Sequence, residues 1–301
     1  MIKCLPGFLS LWVLLGCADD AYIELPFTEA PKVVITSHFT ADEPLTVYLS
    51  VSRPITAQEI PALSSNAEVT LAAEGNLPDR LLPYLTLDSG IAWKSQNVLK
   101  KGVRYTLTVR VPGMETAWAS DTIPEGVSDV YLLVRESNIR FTPEPAEGKW
   151  IARIPISILL KDLPHERRYF AFCIRHKLYK GQGSSEVRAS RFLASGRVLA
   201  LSETTPEGLT LIKESYWSEG GKDHGKLDLE VIIPYDPARE RPDSLFLEWR
   251  TLSEAYYRYH LSLATQGSPF NDPDALYNNV RGGYGNFSGF ARLRKAVSIP
   301  R

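Results

Sequence analysis

The chain has 301 residues, 44% of them hydrophobic and 23% charged, which is enough apolar material to bury a sizeable core. Lys and Arg number 34 against 35 Asp and Glu, a net charge of -1 with neither sign gathered into long runs, so nucleic acid has no electrostatic footprint to follow. No apolar stretch reaches the roughly 18 residues that span a bilayer as a helix, so membrane association has to come through the N-terminus or not at all.

The first residues have the layout of a signal peptide. Lys3 supplies a positive charge, and an apolar stretch from Leu5 to Leu15 is interrupted only by Pro6, Gly7 and Ser10. It ends in Leu14, Leu15, Gly16 and Cys17, which resembles a bacterial lipobox: a small residue precedes a cysteine whose thiol carries diacylglycerol and becomes the mature terminus. Each buried acyl methylene contributes about 0.8 kcal/mol, so a multiply acylated Cys17 is expected to hold the protein on a membrane. Asp19 and Asp20 follow, a short acidic pair similar to the surface-export signals of Bacteroidetes lipoproteins. The expected organisation is a leader over 1–16, a tether over 17–30, an immunoglobulin-like β-sandwich over 31–125, and a C-terminal β-rich domain over 126–301.

Strand signals dominate the mature chain. Leu45, Val47, Leu49 and Val51 alternate with polar neighbours, as do Val103, Tyr105, Leu107, Val109 and Val111, and a side-chain period of two predicts half-buried strands. Val33 to Phe39 and Ala67 to Ala73 read the same way. A boundary falls near Ile123 to Gly126, followed by strands at Val130 to Val134 and Trp150 to Leu160. Another runs from Leu227 to Ile233, ended by Pro234, and one more from Leu245 to Arg250. One helix is predicted over about 253–265, with Ser253 as N-cap, Glu254 at the positive end of the dipole and Gly267 beyond its end. Its expected buried face is Leu252, Tyr256, Tyr259 and Leu263. The fold class is therefore mainly β, with two antiparallel β domains and one helix near the C-terminus.

Candidate chemistry is sparse. Removal of Cys4 with the leader and lipidation of Cys17 leave Cys173 alone, so no disulfide framework is expected. Cys173 reads as a small buried hydrophobe, with a catalytic pairing to His176 as the alternative. The five histidines, His38, His165, His176, His224 and His260, lack any zinc-binding spacing, so neither a metal nor a cofactor is expected. Asp223 and His224 read as part of an exposed polar loop, and an oxygen-ligand calcium site there lacks the alternating carboxylates it needs. Gly283 to Ser288 nearly spells a dinucleotide fingerprint, but Phe287, Phe290 and Leu293 suggest a strand where a phosphate loop needs a helix. Aromatic residues and amides interleave in the C-terminal third. Tyr257, Asn271, Tyr277, Asn278, Asn279, Tyr284 and Asn286 are the candidate ligand-binding residues, able to stack on a sugar or peptide while amides bond its polar edge; packing between helix and sheet is the plainer account.

Several of these segments recur together in a known order. Val33 to Ser37, Ala67 to Leu71, Gly102 to Leu107, Thr122 to Pro124 and Trp249 to Tyr256 are followed by Ser268 to Phe270, Pro273, Asn278 to Val280 and Gly283 to Phe287. The set resembles the Bacteroidetes lipoprotein family catalogued as domain of unknown function 4249. The resemblance implies an outer-membrane lipoprotein, commonly encoded beside a TonB-dependent receptor, and brings no catalytic residues. The expectation is a non-enzymatic protein of the cell envelope, anchored in the lipid bilayer through Cys17, that captures ligand for or assists a TonB-dependent outer-membrane receptor. A structural or adhesive surface module without a transport partner is the alternative, and an envelope hydrolase comes third.

Overall fold

The alternation read at Val33 to Phe39 is a strand with those bounds, and its odd residues Val33, Ile35, Ser37 and Phe39 are all buried. The computed structural model describes residues 30–53, 66–86, 91–144, 148–161, 169–181, 183–194, 201–204, 208–212, 225–266 and 275–300. The expected leader, Cys17, and Asp19 and Asp20 lie outside them.

The first part of the chain holds β1 (Val33–Phe39), β2 (Pro44–Val51), β3 (Glu68–Ala73), β4 (Asp79–Arg80), β5 (Leu82–Leu85), β6 (Ile91–Val98), β7 (Arg104–Arg110) and β8 (Ala117–Thr122). After it come β9 (Asp129–Val134), β10 (Arg140–Glu144), β11 (Lys149–Lys161), β12 (Tyr169–Tyr179), β13 (Ser185–Ala189), β14 (Arg191–Ala194), β15 (Leu201–Thr204) and β16 (Thr210–Ile212). The chain closes with β17 (Lys226–Tyr235), β18 (Arg241–Leu252), helix α1 (Glu254–Thr265) and β19 (Gly283–Ser298). The protein is mainly β, as its periodicity predicts.

Among the described residues the strands form three sheets. A ten-stranded sheet runs β15-β16-β12-β18-β19-β1-β2-β6-β5, with β13 on β12; a five-stranded sheet runs β10-β11-β17-β14, with β9 on β11; a four-stranded sheet runs β4-β3-β7-β8. Two buried clusters fill the spaces between layers. Val33, Ile35, Val47 and Trp93 of the large sheet meet Val69, Leu107 and Val109 of the four-stranded one. Phe170, Phe172, Leu247 and Trp249 meet Ile154, Ile156, Val231 and Ile233 of the five-stranded one. Each such side chain contributes roughly 1.5–3 kcal/mol of burial. The first cluster reaches Ile123 and the second begins at Val127, yet Pro31–Arg301 is one compact unit.

The reason is β19. It pairs parallel with β1 over Gly283 to Gly289 and antiparallel with β18 over Phe290 to Ser298, so one strand stitches both halves into a single sheet. It supplies Phe287 and Ala291 to the first core, and Leu293 and Val297 pack on the second.

Two sequence expectations shift. β17 does not stop before Pro234 but continues through it to Tyr235, with Pro234 opposite Ile151. Its other neighbour, β14, reaches only Ile232, so past that residue β17 has an unpaired side where a missing N–H costs nothing. Helix α1 begins as expected: Ser253 is extended and its side chain accepts a bond from the Tyr256 N–H at 3.2 Å. Its buried stripe is rotated, however, with Tyr256, Tyr257 and His260 inside and Tyr259 and Leu263 only half-buried. Leu252 belongs to β18 and is buried there. The expected Gly267 lies outside the described residues.

Candidate functional site

Helix α1 lies on the outer face of the ten-stranded sheet, and the densest group of chemistry-bearing side chains sits beneath it. Period two turns His38 of β1 and Asn286, Ser288 and Phe290 of β19 to that face, where helical spacing delivers Tyr256, Tyr259 and His260. The His38 ring lies 4.8 Å from His260 and 5.0 Å from Tyr256, centroid to centroid. Nδ1 of His38 is 3.1 Å from the Ser288 hydroxyl, which donates to Oδ1 of Asn286. Asn286 in turn donates from Nδ2 to the carbonyl of Ala255 at 3.3 Å, tying strand to helix. Arg250 of β18 donates to the Tyr256 hydroxyl at 2.7 Å and to Glu248 at 2.8 Å, with its guanidinium 4.4 Å above the Phe290 ring.

Burial governs the charge state of this group. It holds His38 down to about 4, helped by the nearby Arg250 cation. It holds His260 down to about 3, with His38 and Arg250 adding to the effect. Both rings are neutral near pH 7. His260 is wholly buried and neither of its nitrogens has a hydrogen-bond partner. The Ser288 and His38 pairing has the spacing of a nucleophile and base, but Ser288 and Asn286 are at 0% exposure, so no substrate atom can reach the hydroxyl in this conformation.

The amides named from the sequence have a specific task. β18 ends at Leu252 and the chain turns into α1, which among the described residues leaves Gly283 to Gly289 without a strand on that side. Asn279 fills the gap: its Nδ2 donates to the Phe287 carbonyl at 2.7 Å and its Oδ1 accepts the Phe287 N–H at 3.0 Å. Asn278 donates to the Gly283 carbonyl at 3.1 Å and accepts the Val280 N–H at 2.9 Å. Further along, Asp121 of β8 accepts the Gly289 N–H at 2.9 Å and the Ser253 hydroxyl, while the Ser253 N–H donates to the Gly289 carbonyl at 3.0 Å. Burial raises the Asp121 carboxyl above its usual range, opposed by these bonds. Side chains thus replace the hydrogen bonds of an absent strand, which an otherwise orphaned buried backbone requires.

The remaining candidates scatter. Tyr257 is buried and stacks on Tyr169 at 4.6 Å. Tyr277 is half-buried, with the Arg258 guanidinium 5.9 Å from its ring centre and its N–H bonded to the Ser262 hydroxyl. Tyr284 is 37% exposed on the sheet's outer face, with the Lys32 ammonium 5.1 Å from its ring centre. Asn271, and with it His165, Asp223 and His224, lies outside the described residues. The structure therefore brings Asn278, Asn279 and Asn286 together along β19 and keeps Tyr257 and Tyr284 apart. Cys173 and His176, three residues apart on β12, point to opposite faces: His176 is buried with Nδ1 3.0 Å from the Ser190 hydroxyl, and Cys173 is half-buried against the cluster that includes Ala171, Leu211 and Tyr257. Gly283 to Ser288 is strand throughout, so no helix N-terminus follows it.

Among the described residues, three surface clefts stand out. One of about 830 Å³ is bordered by Lys180, Arg188, Asp236, Arg239 and Glu240, where Glu186 and Glu240 bridge Lys180 and Arg188 and hold the hairpin β12–β13 to the turn before β18. Those cations hold Glu186 down to about 2. A second, of about 540 Å³, opens beside Leu77, Asn97 and Lys100. The third, of about 410 Å³, lies by Cys173, Phe246 and Arg294. Among the described residues no group of three or more His, Cys, Asp or Glu could hold a metal, and no helix is long and apolar enough to cross a membrane.

Among solved structures, the chain is similar to a DUF4785 family protein from Legionella pneumophila, at 9% identity and a TM-score of 0.21, over 71% of this chain and 51% of that one. It therefore spans about half the length of that protein. No curated protein matches the chain. Residues 19–296 match the family model described as domain of unknown function DUF4249, and since these include the helix and all but the last two residues of the strands, the chain belongs to that family.

Proposed function

We propose that this protein is a lipid-anchored component of the outer membrane, held through Cys17, that works without catalysis as a ligand-capturing or accessory partner of a TonB-dependent transporter. The observation that carries the reading is Leu14-Leu15-Gly16-Cys17 at the end of a short apolar stretch, which places an acylable thiol before a folded β body. The arrangement around β19 supports the non-catalytic part. The amides of Asn278, Asn279 and Asn286 are bonded to main chain, and of the two serine and histidine pairings among the described residues, His38 with Ser288 is sealed under α1 while the His176 that faces Ser190 is itself buried. A frame of this kind gives rigid sheet faces on which recognition can be built.

Labelling cells with radioactive palmitate tests the anchor. The intact protein takes up label and partitions into membranes, and Cys17→Ala does neither; equal membrane retention of both would overturn the assignment. Cross-linking the intact lipoprotein in cells and identifying its partners by mass spectrometry tests the second half. Recovery of a β-barrel receptor is expected, and its repeated absence sinks the transport role.

A further inference from the structure

The outer face of the ten-stranded sheet beyond α1 carries an arrangement that the site above does not use. β-Pairing sets Thr36, Tyr48, Ala92 and Tyr84 in one row across β1, β2, β6 and β5. Tyr48 is 51% exposed and Tyr84 is 38% exposed, while Ala92 between them is at 0%. The two tyrosines flank a wholly buried alanine and keep between a third and a half of their surface in water. Two strand spacings separate them, about 10 Å. Tyr284 adds a third exposed ring on the same face, one row over, where it is paired through Val34 to Ser50.

Among the described residues, the charged side chains of these rows are cationic. Lys94 stands in the adjacent row between Thr46 and Leu82, and Lys32 lies against Tyr284. The outward positions of β1, β2, β5, β6 and the first half of β19 hold no Asp or Glu among the described residues, and the hydroxyls of Thr36, Thr46 and Ser50 fill the ground between the rings. A flat aromatic surface suits a ligand with flat apolar faces. Hydroxyls and ammonium groups around it suit one whose edges carry hydroxyls and negative charge. A neutral or cationic peptide meets only half of these conditions. From this juxtaposition we infer that the Tyr48, Ala92 and Tyr84 row with Lys94 is a binding surface for an extended acidic polysaccharide, in which alternate sugar rings stack on the two tyrosines and a uronate carboxylate pairs with Lys94.

This gives a ligand class to the capture role proposed above, but it stands apart from the anchor and the transporter, since it is read from binding in solution and not from palmitate uptake. The test is affinity electrophoresis of the full chain in gels containing polygalacturonate, dextran or polyglutamate. Polygalacturonate is expected to retard the protein and the other two polymers to leave it unaffected. Y48A/Y84A and, separately, K94E should weaken the retardation at least tenfold while the thermal melting point stays within a few degrees, because Lys94 is exposed and neither tyrosine belongs to a buried core cluster. Retardation by polyglutamate as strong as by polygalacturonate would reduce the surface to a charge patch. Retardation by dextran alone would make the ligand a neutral glycan. No retardation, or retardation unchanged in Y48A/Y84A, overturns the proposal outright.

Discussion

Asn279 bonds both the N–H and the carbonyl of Phe287, at 3.0 and 2.7 Å, and so acts as a one-residue strand beside β19. Phe287 is itself at 0% exposure, with its ring tilted against that of Phe39 at 4.5 Å, so the two backbone groups have no access to water. Asn279→Ala leaves both unsatisfied and is expected to cost about 2–4 kcal/mol. Asn279→Asp keeps the acceptor but turns a carboxylate oxygen toward the Phe287 carbonyl, and should cost at least as much. Urea unfolding followed by tryptophan fluorescence measures both, and a loss below about 0.5 kcal/mol for Ala would mean that the amide is dispensable.

Asp121 performs the same task for Gly289, but through an oxygen that only accepts. Its shape matters more than its charge, because burial already pushes its carboxyl upward. Asp121→Asn keeps an accepting oxygen and should cost about 1 kcal/mol or less, whereas Asp121→Ala orphans the Gly289 N–H and the Ser253 hydroxyl and should cost about 2–4 kcal/mol. Equal losses in the two variants would show that the negative charge is what counts.

Gly285 sits at φ +112, and a Cβ there would lie 1.9 Å from the carbonyl oxygen of Ile35 in the paired β1. Gly285→Ala forces β19 away from β1 and is expected to cost more than about 4 kcal/mol, with most of the protein recovered as aggregate. Gly75 is the control: φ is +80 but nothing lies within 4 Å, so Gly75→Ala should cost about 1 kcal/mol. Comparable soluble yields for the two variants would contradict the close approach.

Acid should loosen the contact between helix and sheet. His38 and His260 are held to about 4 and about 3 in the fold, against the ordinary 6.5 in the unfolded chain. Between those values the unfolded chain binds more protons, so stability is complete above about pH 6.5 and falls as pH drops toward 3. Each ring accounts for on the order of 3 kcal/mol by pH 4. His176, held to about 4 by burial and Arg188, adds to the same window. Denaturant midpoints taken from pH 7.5 to 4 should fall, and His260→Phe should flatten the slope. A slope that is identical in the variant would place the acid sensitivity elsewhere.

What could be read before folding follows from locality. Ser253 caps α1 because its hydroxyl and the Tyr256 N–H are three residues apart, and the burial of Val33, Ile35 and Val47 follows from alternation within a single strand. The turn of α1 toward the sheet was not legible in the same way. Tyr259 and Leu263 are as apolar as the residues that are buried, and the choice of His260 was made by His38 of β1 beneath it. The histidines carry no spacing signal because their partners come from opposite ends of the chain. Asn278 and Asn279 looked like ligand contacts for a related reason: an amide that completes a sheet and one that awaits a ligand have the same sequence.

The residues alone determined a mainly β chain, the strand faces, the helix cap and the lack of any sequence-local catalytic or metal motif, since each depends on neighbours within a turn or a strand. The tertiary structure alone decided that β19 joins the two halves in one sheet, that side chains stand in where β18 ends, and that Tyr48 and Tyr84 share a row across Ala92. Those features depend on strand register between segments far apart in the chain. Register is set by which hydrophobic faces meet across the core, and not by any single segment.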